Sequence, residues 1–84
     1  MAKLLYNIKM QPYKNITENA GATAYKIGDD HIIVEFQDGS TYLYNYTSTG
    51  KHHIEQMKIL AVTGQGLTTY INQHVREHYA QKLE

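Results

Sequence analysis

The sequence predicts an α+β domain: an antiparallel β-meander of three to four strands, with two carboxyl-terminal helices packed on one face. Three observations carry this. Residues 31–36 and 41–46, rich in β-branched and aromatic side chains, flank Asp38-Gly39, a strong short-range hairpin signal. Beyond residue 50, apolar residues recur at helical spacing. All strand patterns precede all helix patterns, so the helices share one face of one sheet.

The elements follow in chain order. Leu4, Tyr6, Ile8 and Met10 alternate with Leu5, Asn7 and Lys9, a short strand that Pro12 ends. Tyr13 to Gly21 is a polar connection with Ile16 as its anchor. Ala22 to Ile27 alternates, with Tyr25 and Ile27 on one side, and Gly28-Asp29-Asp30 turns it into the next strand. At the hairpin, a two-residue loop would set Tyr42, Tyr44 and Tyr46 opposite Ile32, Val34 and Phe36. A three-residue loop with left-handed Gly39 in a G1 bulge pairs Val34 with Tyr42 and Ile32 with Tyr44, on one shared face. The bulged register is preferred, because it gathers apolar area where a helix can cover it.

Thr47-Ser48-Thr49 supplies cap oxygens for the first helix, in which Ile54, Met57 and Ala61 recur with Leu60 beside them. Gly64 ends it in a left-handed C′ position, and Gly66 turns the chain into a second helix. There Leu67, Tyr70, Ile71, His74, Val75, His78 and Tyr79 fall within about half the helix circumference.

Composition narrows the function classes. Eighty-four residues suit a single domain, and the absence of cysteine excludes disulfides and Cys-based zinc sites. Eight tyrosines against one phenylalanine put polar-tipped rings at the core's edge or on a contact surface. Eight basic and eight acidic side chains cancel, so no dominant nucleic-acid footprint shows in the total. Lys3, Lys9, Lys14 and Lys26 precede an acidic stretch with Asp29, Asp30, Glu35 and Asp38, read as solvated strand ends. No run reaches transmembrane length and no signal-peptide core is visible, so the expectation is a cytoplasmic protein with no membrane association. The Asn15 and Asn45 glycosylation patterns are then chance matches, and Leu83-Glu84 is set aside as a cloning scar.

Ile32-x-Val34-x-Phe36-x-x-Gly39-x-x-Tyr42-x-Tyr44, a helix, and then Asn72-x-x-Val75-Arg76-x-x-Tyr79 together resemble the KTSC domain. That family is named for its occurrence at the carboxyl end of some lysyl-tRNA synthetases. The resemblance spans Ala22 to Tyr79, and residues 1–21 lie outside it. It implies a curved antiparallel sheet packed with helices and, through its neighbourhood, hints at RNA. Where the family usually carries Ser-x-Gly, this chain has Gly66-Leu67-Thr68, with Gly64-Gln65-Gly66 lengthening the link.

His74 and His78 are four apart, a metal-ligand spacing, yet His-Val-Arg-Glu-His is not the metalloprotease motif. The preferred reading makes them half-buried histidines bonded to tyrosine hydroxyls or carbonyls; His52 and His53 join them only if the helices cross there. Asn72 and Arg76 can present an amide and a guanidinium to a phosphate or carboxylate, or serve structurally, fastening the loop and lying across the sheet edge; the structural role is preferred. Gly66, with Gly64, is a candidate anion cradle or a plain helix-to-helix turn. Most of the Tyr42, Tyr44 and Tyr46 rings should be core rather than a base-stacking platform, and Ile33 with Leu43 should form an exposed apolar patch on the other face.

No cysteine nucleophile or paired carboxylate supports catalysis. The expectation is a non-catalytic binding or accessory domain without cofactor, contacting a macromolecular partner. An RNA-associated module using Lys51, Lys58, Arg76 and the early lysines is the first alternative, and a small-molecule or metal site around His74 and His78 the second.

Overall fold

Which residues alternate between core and solvent decides the sheet. The computed structural model describes residues 10–16 and 21–84. Among these residues, five antiparallel strands run in chain order: β1 (Gln11–Pro12), β2 (Ala22–Ile27), β3 (His31–Phe36), β4 (Thr41–Asn45) and β5 (Gln81–Lys82). Three of these are the expected meander, and the two-residue β1 and β5 extend it at its edges. The strand expected over Leu4 to Met10 lies almost wholly outside the described residues. Pro12 sits in β1 itself, an edge position where its missing N–H costs nothing.

The bulged hairpin register is observed. Ile32 pairs with Tyr44 and Val34 with Tyr42, while Ser40 O and Phe36 O accept from Phe36 N and Gly39 N. Gly39 has φ +91°, the positive dihedral that this loop demands and that a side chain would strain. β2 pairs with β3 through Tyr25↔Val34 and Ile27↔Ile32, with a bulge near Ala22.

Helices cover one face. After β4 come α1 (Tyr46–Thr49) and α2 (Lys51–Thr63), then α3 (Leu67–Tyr70), which widens without a break into a π-helical turn over Ile71–Val75. Ile54, Met57 and Ala61 of α2, then Leu67, Ile71 and Val75, bury against Ile32, Val34 and Tyr44. Each large side chain wholly withdrawn from water contributes about 1.5–3 kcal/mol before ordering costs. The first cap is Asn45, not the Thr47-Ser48-Thr49 run. Its side chain accepts from Ser48 N at 2.8 Å while Ser48 Oγ accepts from Asn45 N, a reciprocal box that places those hydroxyl residues inside α1. Gly64 ends α2 with φ +86°, and a Cβ there would approach Lys14 Cβ to 2.7 Å.

Four other expectations change. Ile16 is 60% exposed, and Tyr13 is the anchor instead. Its hydroxyl accepts from Leu67 N at 3.0 Å, satisfying a first-turn amide that an isoleucine could not. Ile33 is buried on the reverse face, flanked by Lys26 and Leu43 on a central strand, so the expected exposed patch is absent. Tyr46 leaves the sheet to start α1, its ring outside the main core and its hydroxyl donating to Glu55. The second helix stops at Val75 rather than continuing through Tyr79, because a turn at Arg76 reverses the chain toward β5. Leu83 N and Glu84 O both bond to the Thr41 backbone, so the last two residues are tied to the sheet.

Candidate functional site

The hairpin tip and the Arg76 turn face each other across an open cleft of about 620 Å³. One wall is aromatic. Phe36 meets Tyr42 edge-on with ring centroids 5.8 Å apart, and Tyr79 lies 4.6 Å from Tyr42. Tyr44 closes the group at 6.3 Å from Tyr79, nearly perpendicular to it. These contacts follow from strand alternation, which sets Phe36, Tyr42 and Tyr44 on one face, plus the reversal at Arg76, which brings Tyr79 back onto them.

Tyr44 is 2% exposed, and its hydroxyl makes no hydrogen bond among the described residues; the cleft is where it opens. Burial pushes this phenol well above its ordinary range, with the Tyr42 and Tyr79 phenols acting the same way. It therefore stays neutral, able both to donate and to accept.

The other wall comes from the π-turn. Asn72 and Arg76 line it, both exposed, with Glu77 beside them. The Arg76 guanidinium has no ion pair or hydrogen bond among the described residues. Neither residue takes the structural role preferred from the sequence. At the hairpin tip, Asp38 accepts from Ser40 N at 2.9 Å and Ser40 Oγ at 2.6 Å, and those bonds hold its carboxyl below the usual range. Lys82 Nζ stands 5.8 Å from the Tyr42 ring. Basic and acidic groups around the cleft are thus balanced.

Arg76 has φ +37° and ψ −106°, and His78 N donates to Val75 O at 2.7 Å. That is close to the first central position of a type II′ turn, where glycine fits and an arginine is strained.

No family model, curated protein or solved structure matches the chain.

His74 and His78 do not line the cleft; with Arg76 they border a separate, smaller depression of about 270 Å³. Both are exposed rather than half-buried, since the π-turn widens the helix by one residue and the Arg76 turn then ends it. The helices do cross near His53. Its Nδ1 lies 2.7 Å from Tyr70 Oη, and its ring lies 5.9 Å from that of His74, which packs on Tyr70 at 4.4 Å. The tyrosine-bonded histidine is therefore His53. His78 contributes its carbonyl, which accepts from Thr49 Oγ1 at 2.6 Å. No group of three or more His, Asp or Glu among the described residues is placed to hold a metal ion. Gly66, φ +88°, makes the turn into α3 and does not line the cleft.

Tyr79 was legible as part of a helical stripe and of the Asn72-to-Tyr79 pattern, and Asp38 and Ser40 only as turn residues. Neither stretch signals that the two ends of this wall meet. No described helix is long and apolar enough to cross a membrane.

Proposed function

We propose that this chain is a small non-catalytic binding domain, KTSC-like in its order of elements, which takes part of a protein partner into the aromatic cleft. The observation that carries this is the aromatic wall of Phe36, Tyr42, Tyr44 and Tyr79 on an open cleft that Arg76, with no ion pair or hydrogen bond among the described residues, also lines. Such a surface sets aromatic rings beside polar and charged side chains, a combination that binding sites use.

Catalysis gains no support from the cleft. Its one aliphatic hydroxyl, Ser40 Oγ, donates to Asp38, a carboxylate with lowered pKa and so a weak base. Against the RNA reading, Arg76 and Lys82 are offset by Asp38 and Glu77, and Lys58 Nζ is committed to Glu55 and the Asp29 carbonyl. A phosphate track needs cations without such partners. Against the metal reading, no group of three or more His, Asp or Glu placed to hold a metal ion among the described residues includes His74 and His78.

A benzophenone-bearing residue placed at Asn72, in the full chain, tests the proposal against the same probe at Val62, which is 62% exposed on α2. The expected result is a protein adduct from position 72 that resists ribonuclease and weakens in Arg76→Ala. Equal adducts from both positions, or ribonuclease-sensitive ones with steeply salt-dependent binding to single-stranded RNA, would overturn it.

A further inference from the structure

We infer that what the cleft receives is an arginine side chain of the protein partner. This rests on the binding role proposed above and specifies the ligand.

Charge comes first. The cleft's own lining carries two carboxylates, Asp38 and Glu77, against one guanidinium, that of Arg76. Lys82, which balances the wider surroundings, stands outside that lining. An entering cation therefore meets a lining of opposite net sign, and an entering carboxylate or phosphate meets like charge. Asp38 is the more firmly held of the two acids. Ser40 N and Ser40 Oγ both donate to its Oδ1, so Oδ2 makes no hydrogen bond among the described residues. Those bonds, with Lys82 acting the same way, hold the carboxyl below its ordinary range and keep it ionised. Glu77 has no ion pair among the described residues.

The rings come next. Phe36 stands two residues before Asp38, and Tyr79 two residues after Glu77. Each limb thus carries a ring and a carboxylate no more than about 7 Å apart along the backbone, close enough for one long side chain to reach both. This wall already attracts a cation. Lys82, the cross-strand neighbour of Tyr42, holds its Nζ 5.8 Å from that ring's centroid. That is inside the roughly 6 Å over which a ring face draws positive charge.

Planarity selects arginine over lysine. A guanidinium can lie flat on a ring and still direct its N–H groups, in its own plane, to a carboxylate in a two-pronged contact. An ammonium is a compact and more strongly hydrated point charge, so it gives up more water on entering and offers no fork. Arg76 is compatible with this occupant. It borders the second depression as well as the cleft, which gives its side chain room away from the incoming charge. Its donors, with those of the Asn72 amide, suit the main-chain carbonyls on either side of the bound arginine. Losing Arg76 therefore weakens the hold on the segment without weakening the choice of residue.

The test is an NMR titration of the intact protein, read at the ring protons of Tyr42 and Tyr79. The probes are the end-blocked peptide acetyl-Gly-Ser-Arg-Ser-Gly-amide, its citrulline and lysine counterparts, and free arginine. Citrulline keeps the shape and loses the charge, so it should bind at least about tenfold more weakly than arginine, and lysine should lose several-fold. Asp38→Asn combined with Glu77→Gln, two exposed changes that keep side-chain size, should cost the arginine peptide about tenfold and the citrulline peptide little. Arg76→Gln should leave the arginine-to-citrulline ratio equal or higher. Equal binding of arginine and citrulline, lysine as tight as arginine, or arginine binding unchanged in the double variant would each overturn the inference. So would rings that do not shift at about 10 mM peptide. Free arginine as tight as the peptide would overturn it in favour of a small guanidinium ligand. In each of these cases the position-72 protein adduct still stands for the cleft. Loss of that adduct as well would remove the binding role itself.

Discussion

The two walls of the cleft are built on opposite principles. The β3–β4 hairpin is bonded along its length, with Ile32 and Val34 fully buried and Tyr44 nearly so. The limb from Ile71 to Glu84 buries only Ile71 and Val75, exposes most of the side chains between them and after them, and rejoins the sheet through a two-residue strand. One wall is an extension of the core. The other is a strap, held by Tyr79 on Tyr42 and by backbone bonds to Leu43 and Thr41. A site made this way has a fixed apolar surface and a polar side whose position is set by few contacts, so the polar side is where binding geometry can adjust.

The largest effect should come from the fixed wall. Ile32→Ala removes a fully buried side chain from the centre of the sheet and is expected to cost about 2–5 kcal/mol in urea unfolding. Tyr79→Ala in the strap should cost less, about 1–2 kcal/mol, since its ring is half-buried and packs on other rings. Equal losses from the two variants would mean that the strap belongs to the core, and the contrast would collapse. Arg76→Gly sharpens it differently. Relief of the turn conformation should raise stability by about 1 kcal/mol while the guanidinium is lost, separating what the turn costs from what the side chain does.

The smallest effect is electrostatic and lies outside the strap. The Tyr46 hydroxyl, and then Lys58, hydrogen-bond to Glu55 and hold its carboxyl below the usual range. A lowered folded-state pKa contributes stability above the unfolded value of about 4.3, and that contribution is lost as pH falls through the folded one. The same contact raises the Tyr46 phenol to about 12, so its part is present below about 10 and lost as pH climbs through the folded value. Thermal melts from pH 5 to pH 3 should show a shallower acid decline in Glu55→Gln. An unchanged decline would show that this contact is not what acid breaks.

The hairpin was readable because two independent requirements agreed. The turn chemistry of Asp38-Gly39 and the alternation of Ile32, Val34, Tyr42 and Tyr44 select the same register, and Gly64 marks the end of α2 by equally local means. The strap was not readable. His74, His78 and Tyr79 continue a helical period with no glycine, proline or asparagine at residue 76 to announce a turn, so the pattern points to a helix that tertiary contacts interrupt. Tyr79 gains ring contacts on Tyr42 and Tyr44 by leaving the helix, a benefit invisible to local spacing. Asn72 and Arg76, singled out as a pair, line one cleft, but most of the surface that shares it comes from the distant β3–β4 hairpin.

The absence of tryptophan has a practical consequence. Ultraviolet emission from this protein is tyrosine emission, and three of its eight emitters are the mutually touching rings of the cleft wall. Rings this close exchange excitation, so near-ultraviolet circular dichroism and fluorescence anisotropy become built-in gauges of whether that wall is open, occupied or sprung apart, with no label attached.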